Sequence, residues 1–163
     1  MDIGDIPAWI ALAVSVFTLI NQNRQNTKAN LERETSKAES EVKLRDLQRK
    51  LRLEQMIKDI DDLMMLTIDY WTQPEGMGGT SALMMKSKSQ DISYRCIDYH
   101  QFLWSSAAPE FAGIRRIITG GDFEVKSRQP ITTTSPLIRE SSTMVSSFKT
   151  KLRQACDDLD GFR

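Results

Sequence analysis

The sequence predicts an all-α protein in three parts: a single N-terminal transmembrane helix, a long charged stalk helix and a small C-terminal antiparallel helical bundle. Three observations predict it. No ionisable side chain stands between Asp5 and Arg24, a stretch of 18 residues rich in Ile, Val, Leu and Ala. Neither proline nor glycine occurs from Arg24 to Tyr70, and apolar residues recur at three, four or seven positions from Ile138 to Phe162. These are the marks of a membrane span, of an uninterrupted helix and of an amphipathic helix packed on one face. The organisation that follows is a short non-cytoplasmic N-terminus at 1–5, an anchor at 6–23, a stalk at 24–52 and a cytoplasmic helical head at 53–163.

The anchor is built from Ile6, Trp9, Ile10, Leu12, Val14, Val16, Phe17, Leu19 and Ile20. Eighteen residues at about 1.5 Å each span roughly 27 Å, close to the hydrocarbon thickness of a bilayer. Pro7 suits the first turn, where its missing N–H has no partner to lose, and Trp9 sits where an indole straddles the interface. A cleaved signal peptide fits less well, because Asp2 and Asp5 occupy what would be a basic n-region and Leu19-Ile20-Asn21 is a poor cleavage site. A buried core helix also fits less well, since the run leads into a polar stretch unable to cover it. Ala11 and Ser15, at i and i+4, are small enough for close helix–helix contact within the membrane. Lys and Arg are retained on the cytoplasmic side, and here they follow the run at Arg24, Lys28 and Arg33. The expected location is therefore the inner membrane, single-pass, with the N-terminus outside and the C-terminus cytoplasmic.

Acid-to-base spacings of four, as at Glu39 and Lys43 or Glu54 and Lys58, extend the stalk as a helix. Leu44, Leu47 and Leu51 give way, after a shift, to Leu53, Ile57, Ile60, Met64 and Trp71, so packing is expected to begin near residue 53. A coiled-coil dimer is the competing reading, although the register shifts at least once between residues 31 and 71. Proline and three glycines between Gln73 and Thr80 stop this helix. A second helix is expected from about residue 90 to 107, with Asp91 or Ser89 as N-cap and Ile92, Cys96, Tyr99 and Leu103 on one face. Pro109 opens a third, carrying Phe111, Ile114, Ile117 and Ile118 and ending at Gly120-Gly121. Residues 122–134 read as an extended loop, with a short hairpin as the alternative. Ser135-Pro136 starts the last helix as N-cap and N1, and its packing face is Ile138, Val145, Phe148, Leu152 and Leu159, with Ala155 and Phe162 beside them.

The chemistry-bearing residues are few. Lys plus Arg and Asp plus Glu both number 22, leaving no net field to draw the chain onto nucleic acid. Cys96 and Cys156 form no metal-type pair, and as sparse cysteines they match a reducing compartment. His100, the only histidine, follows Cys96 by four and offers half a metal site or a nucleophile–base pair. Packing of a core cysteine beside a half-exposed histidine explains both. The carboxylates Asp59, Asp61, Asp62 and Asp69, and Asp157, Asp158 and Asp160, do not fit the EF-hand loop, and no glycine pair carries a phosphate-loop pattern. Arg115-Arg116 is too small a basic patch for DNA or RNA. The methionine pairs Met64-Met65 and Met84-Met85 read as gap fillers, with an adaptable binding surface as the alternative.

No catalytic residue, cofactor, metal or small-molecule substrate is expected. The partners expected are the lipid bilayer and either the chain itself or another protein. That describes a non-enzymatic, membrane-anchored interaction or scaffold protein. The alternative is a membrane-acting effector, a toxin or phage-defence component that oligomerises and perturbs the bilayer.

Overall fold

The computed structural model describes residues 6–74, 79–125 and 128–161, without side chains for 6–13, 29, 79, 160 and 161. The protein is all-α, with α1 at Ile6–Thr72, α2 at Gly79–Asp98, α3 at Ala107–Ile118 and α4 at Pro136–Gly161. No strand occurs among the described residues, so residues 122–125 and 128–134 form turns and loop rather than a hairpin. The chain divides into two compact units, Met1–Arg45 and Asp46–Arg163.

Within the first unit, Val14, Val16, Phe17, Leu19 and Ile20 are all exposed, Val14 by 59% and Phe17 by 66%. At 100° per residue these five positions spread over about 220° of the helix circumference, with Ser15 and Thr18 on the remaining arc. Thr18 donates its hydroxyl to the Val14 carbonyl at 2.8 Å, and Thr27 and Ser40 likewise bond back to Asn23 and Ser36. Among the described residues no helix is long and apolar enough to cross a membrane. The anchor positions Ile6, Trp9, Ile10, Ala11 and Leu12 fall outside the described side chains.

The second unit is a bundle whose buried positions follow three-four spacing on every helix. On α1 these are Leu53, Met56, Ile60, Leu63, Thr67, Tyr70 and Trp71; on α2 they are Ala82, Met85, Ser89, Ile92 and Cys96. Ala107, Phe111, Ile114 and Ile118 supply α3, and Ile138, Ser141, Val145, Phe148, Leu152 and Cys156 supply α4. Such spacing keeps one seam facing a neighbouring helix that lies nearly alongside. Inter-helix partners give the directions. Asp69 with Ser81 and Asp62 with Lys88 set α2 antiparallel to α1, while Phe111 with Phe148 and Glu110 with Lys151 set α4 antiparallel to α3. The Trp71 indole donates to the Ile118 carbonyl at 3.1 Å, bringing the C-terminal ends of α1 and α3 together. The result is an up-down-up-down four-helix arrangement.

The structure corrects three expectations. On α1 the buried face is centred about a sixth of a turn from the predicted one, so Met56 and Leu63 are buried and Ile57 and Met64 flank them. α2 begins at Gly79, placing Ser89 and Asp91 in mid-helix rather than at a cap, and it ends at Asp98, so Tyr99 and Leu103 lie in the turns that replace the expected continuation to residue 107. Ser89 is fully buried and satisfies its hydroxyl on the Lys86 carbonyl. On α4, Leu159 is partly buried and packs against the core that holds Ile138, Val145, Phe148 and Leu152. The start of α4 matches the reading of Ser135-Pro136, with the Ile138 amide donating to Ser135 Oγ at 3.4 Å.

Candidate functional site

The α1–α2 face concentrates the polar chemistry of the head. Asp59 is nearly buried between the two helices and accepts from Arg95 at 2.6 Å, Lys88 at 3.3 Å and Gln55 at 3.4 Å. Burial works to raise its carboxyl, but the hydrogen bonds and charges of Arg95 and Lys88 outweigh that and hold it below the ordinary carboxylate range. Lys88 also binds Asp62 at 2.6 Å, and Arg95 binds Asp91 at 2.5 Å. Five charged groups thus alternate in sign across the helix pair, each facing an opposite charge.

One turn further along α1, the same two helices open into a groove of about 860 Å³ lined by Asp62, Met65, Leu66, Asp69, Met84, Ser87, Lys88 and Asp91. Each methionine pair is split here. Neighbours on a helix point about 100° apart, so one sulfur turns inward and the other outward. Met85 is fully buried and Met64 partly so, whereas Met65 is 70% exposed and Met84 52%. The floor of the groove is therefore thioether and leucine, and three of its rim residues are aspartates.

The residues singled out for catalysis or metal binding do not converge. Cys96 is buried in the core, and desolvation pushes its thiol up to about 12, the opposite of what a nucleophilic thiolate requires. His100 lies beyond the end of α2, exposed, with Nδ1 2.9 Å from the Ile97 carbonyl oxygen. Asp61 pairs with Lys149 of α4, and Asp69 with Ser81. Among the described residues no three His, Cys, Asp or Glu side chains are grouped to hold a metal ion. Glu110 is held below the ordinary range because bonds from Lys151 and Ser106 outweigh its desolvation, which marks it as a strut between α3 and α4.

One residue with a structural role carries no sequence signal. Arg128, in the loop before α4, is 5% exposed and donates to the carbonyls of Trp71 at 3.2 Å and Gln73 at 2.9 Å. Its guanidinium carbon stands 4.3 Å from the Tyr70 ring centre and 5.5 Å from that of Trp71. A buried cation thus caps the negative end of α1 and stacks on its last aromatic turn. The Ile131 amide adds a bond to the Trp71 carbonyl at 2.9 Å. The chain matches no protein-family model, no curated protein and no solved structure.

Proposed function

We propose that this protein is a non-enzymatic interaction module tethered to a membrane, with residues 6–23 as the anchor and the helical head as the binding part. The observation that carries the reading is the exposure of Val14, Val16, Phe17, Leu19 and Ile20 over more than half of the helix circumference. An exposed apolar surface this wide needs an apolar surrounding, and on the remaining arc the back-bonded hydroxyl of Thr18 removes a polar group that would oppose entry into lipid. Lys and Arg follow the run and do not precede it, which favours a cytoplasmic head. The head contributes an open methionine-floored groove, and its charged groups at the α1–α2 face are engaged with one another.

Carbonate extraction tests the tether. The full chain is expected in the washed membrane pellet, and Val16→Asp plus Phe17→Asp should release it, since each aspartate at the centre of a span costs about 2.5–3.5 kcal/mol. Release of the unsubstituted chain by carbonate would refute the anchor.

A further inference from the structure

We infer that the groove between α1 and α2 is the seat of a basic amphipathic helix supplied by a partner protein. The inference rests on the head being an interaction module and adds the class of partner. Three features of the groove select it.

The first is its length. The lining runs from Asp62 to Asp69 on α1 and from Met84 to Asp91 on α2, two turns of each helix or about 10 Å. A helix lying there presents apolar side chains at i, i+3 or i+4, and i+7, which is the anchor pattern of groove-bound helices.

The second is its floor. Met65, Leu66 and Met84 are apolar, and the two methionines are exposed where their neighbours Met64 and Met85 already supply packing. Unbranched thioether side chains adapt to several apolar shapes, so they suit a surface that receives a helix rather than one fixed ligand.

The third is its charge. Asp62, Asp69 and Asp91 line the groove with Lys88; Lys88 is bound to Asp62 and Asp59, and Arg95 to Asp91 and Asp59, so four carboxylates meet two cations and the rim keeps a net negative charge. An apolar strip between carboxylates complements a helix with leucine-like residues on one face and Lys or Arg at its margins. The same rim repels the phosphates of lipid headgroups and nucleic acid, so neither is the occupant.

The test uses the full chain in zwitterionic nanodiscs with its methionine methyl groups labelled for NMR. Two helical peptides serve as probes: one of leucine and lysine, with leucine at i, i+3, i+4 and i+7, and one with glutamate in place of lysine. Responses to empty nanodiscs are subtracted. The lysine peptide should shift the Met65 and Met84 methyl signals saturably and leave buried Met56 and Met85 in place, while the glutamate peptide should not. Asp62→Asn with Asp91→Asn should weaken the lysine peptide by about tenfold, as loss of rim charge does. Equal response to both peptides, or none at Met65 and Met84, overturns the inference. So does broadening of those two signals with protein concentration alone, which would place a second copy in the groove. A chain that resists carbonate but leaves both methyls unmoved would end this inference and keep the tether.

Discussion

Two buried charges decide how the head responds to single substitutions. Asp59 has its carboxyl held below its ordinary value of 3.8 by Arg95 and Lys88, against the opposing effect of burial. A depressed carboxylate contributes stability that is complete above the unfolded value and is lost as pH falls through the folded one. Chemical denaturation as a function of pH should therefore show the unsubstituted head weakening as pH drops below about 4, with a flatter acid limb in Asp59→Asn. At neutral pH that variant should be less stable by about 2–4 kcal/mol, because two cations lose their shared partner at a nearly buried position. An unchanged acid limb would show that Asp59 is not held as described. Arg128 acts at the other end of α1. Arg128→Met keeps some of the packing over Tyr70 but removes the bond to the Gln73 carbonyl and one of the two donors to that of Trp71, and should cost about 1–3 kcal/mol in denaturant unfolding. Arg128→Lys should recover only part of this, since an ammonium cannot bond both carbonyls and stack at once. Full recovery by lysine would mean that charge alone caps the helix.

The helices differ in how plainly the sequence announces them, for reasons visible in particular residues. α4 was readable at its start and along most of its seam, because Ser135 and Pro136 mark its start and Ile138, Val145, Phe148 and Leu152 are large and apolar. The first half of α2 was not, because its core positions are Ala82, Met85 and Ser89, which give little apolar periodicity. Small hydroxyl residues occupy core positions on three helices, at Thr67, Ser89 and Ser141, and each bonds to its own backbone, so polarity concealed burial. On α1 the cause is different: Ile57 and Met64 stand beside Met56 and Leu63, so two apolar rows overlap and spacing alone does not choose between them. The methionine pairs read first as gap fillers, which fits Met64 and Met85, and only the pairing of α1 with α2 shows that Met65 and Met84 are exposed. The turn after α3 gives a test at this scale. A Cβ on Gly120 would stand 2.7 Å from the Arg116 carbonyl oxygen, and Gly121 has φ +61. Gly120→Ala should lower stability by about 1–3 kcal/mol, as overpacking against backbone does, with a matching fall in Tm. An unchanged Tm would mean that the turn relaxes freely.

Across the whole molecule the two units have different physical requirements. Asp46–Arg163 has a core drawn from all four helices and carries its own charge lattice and groove. The described side chains of Met1–Arg45 are exposed, and those from Val14 to Ile20 are mostly apolar. Water is a poor solvent for such a surface, at about 25 cal/mol per Å² of apolar area, and a bilayer is the surrounding that relieves it on every side at once. Accessibility to a membrane-impermeant maleimide measures this directly, because Cys96 and Cys156 are buried and give a low background. In sealed vesicles with the cytoplasmic face outward, cysteine at Leu44 should label readily, whereas cysteine at Phe17 should stay unlabelled until detergent is added. Equal labelling of Phe17→Cys and Leu44→Cys before detergent would contradict the tether and place the apolar run in water or against another protein.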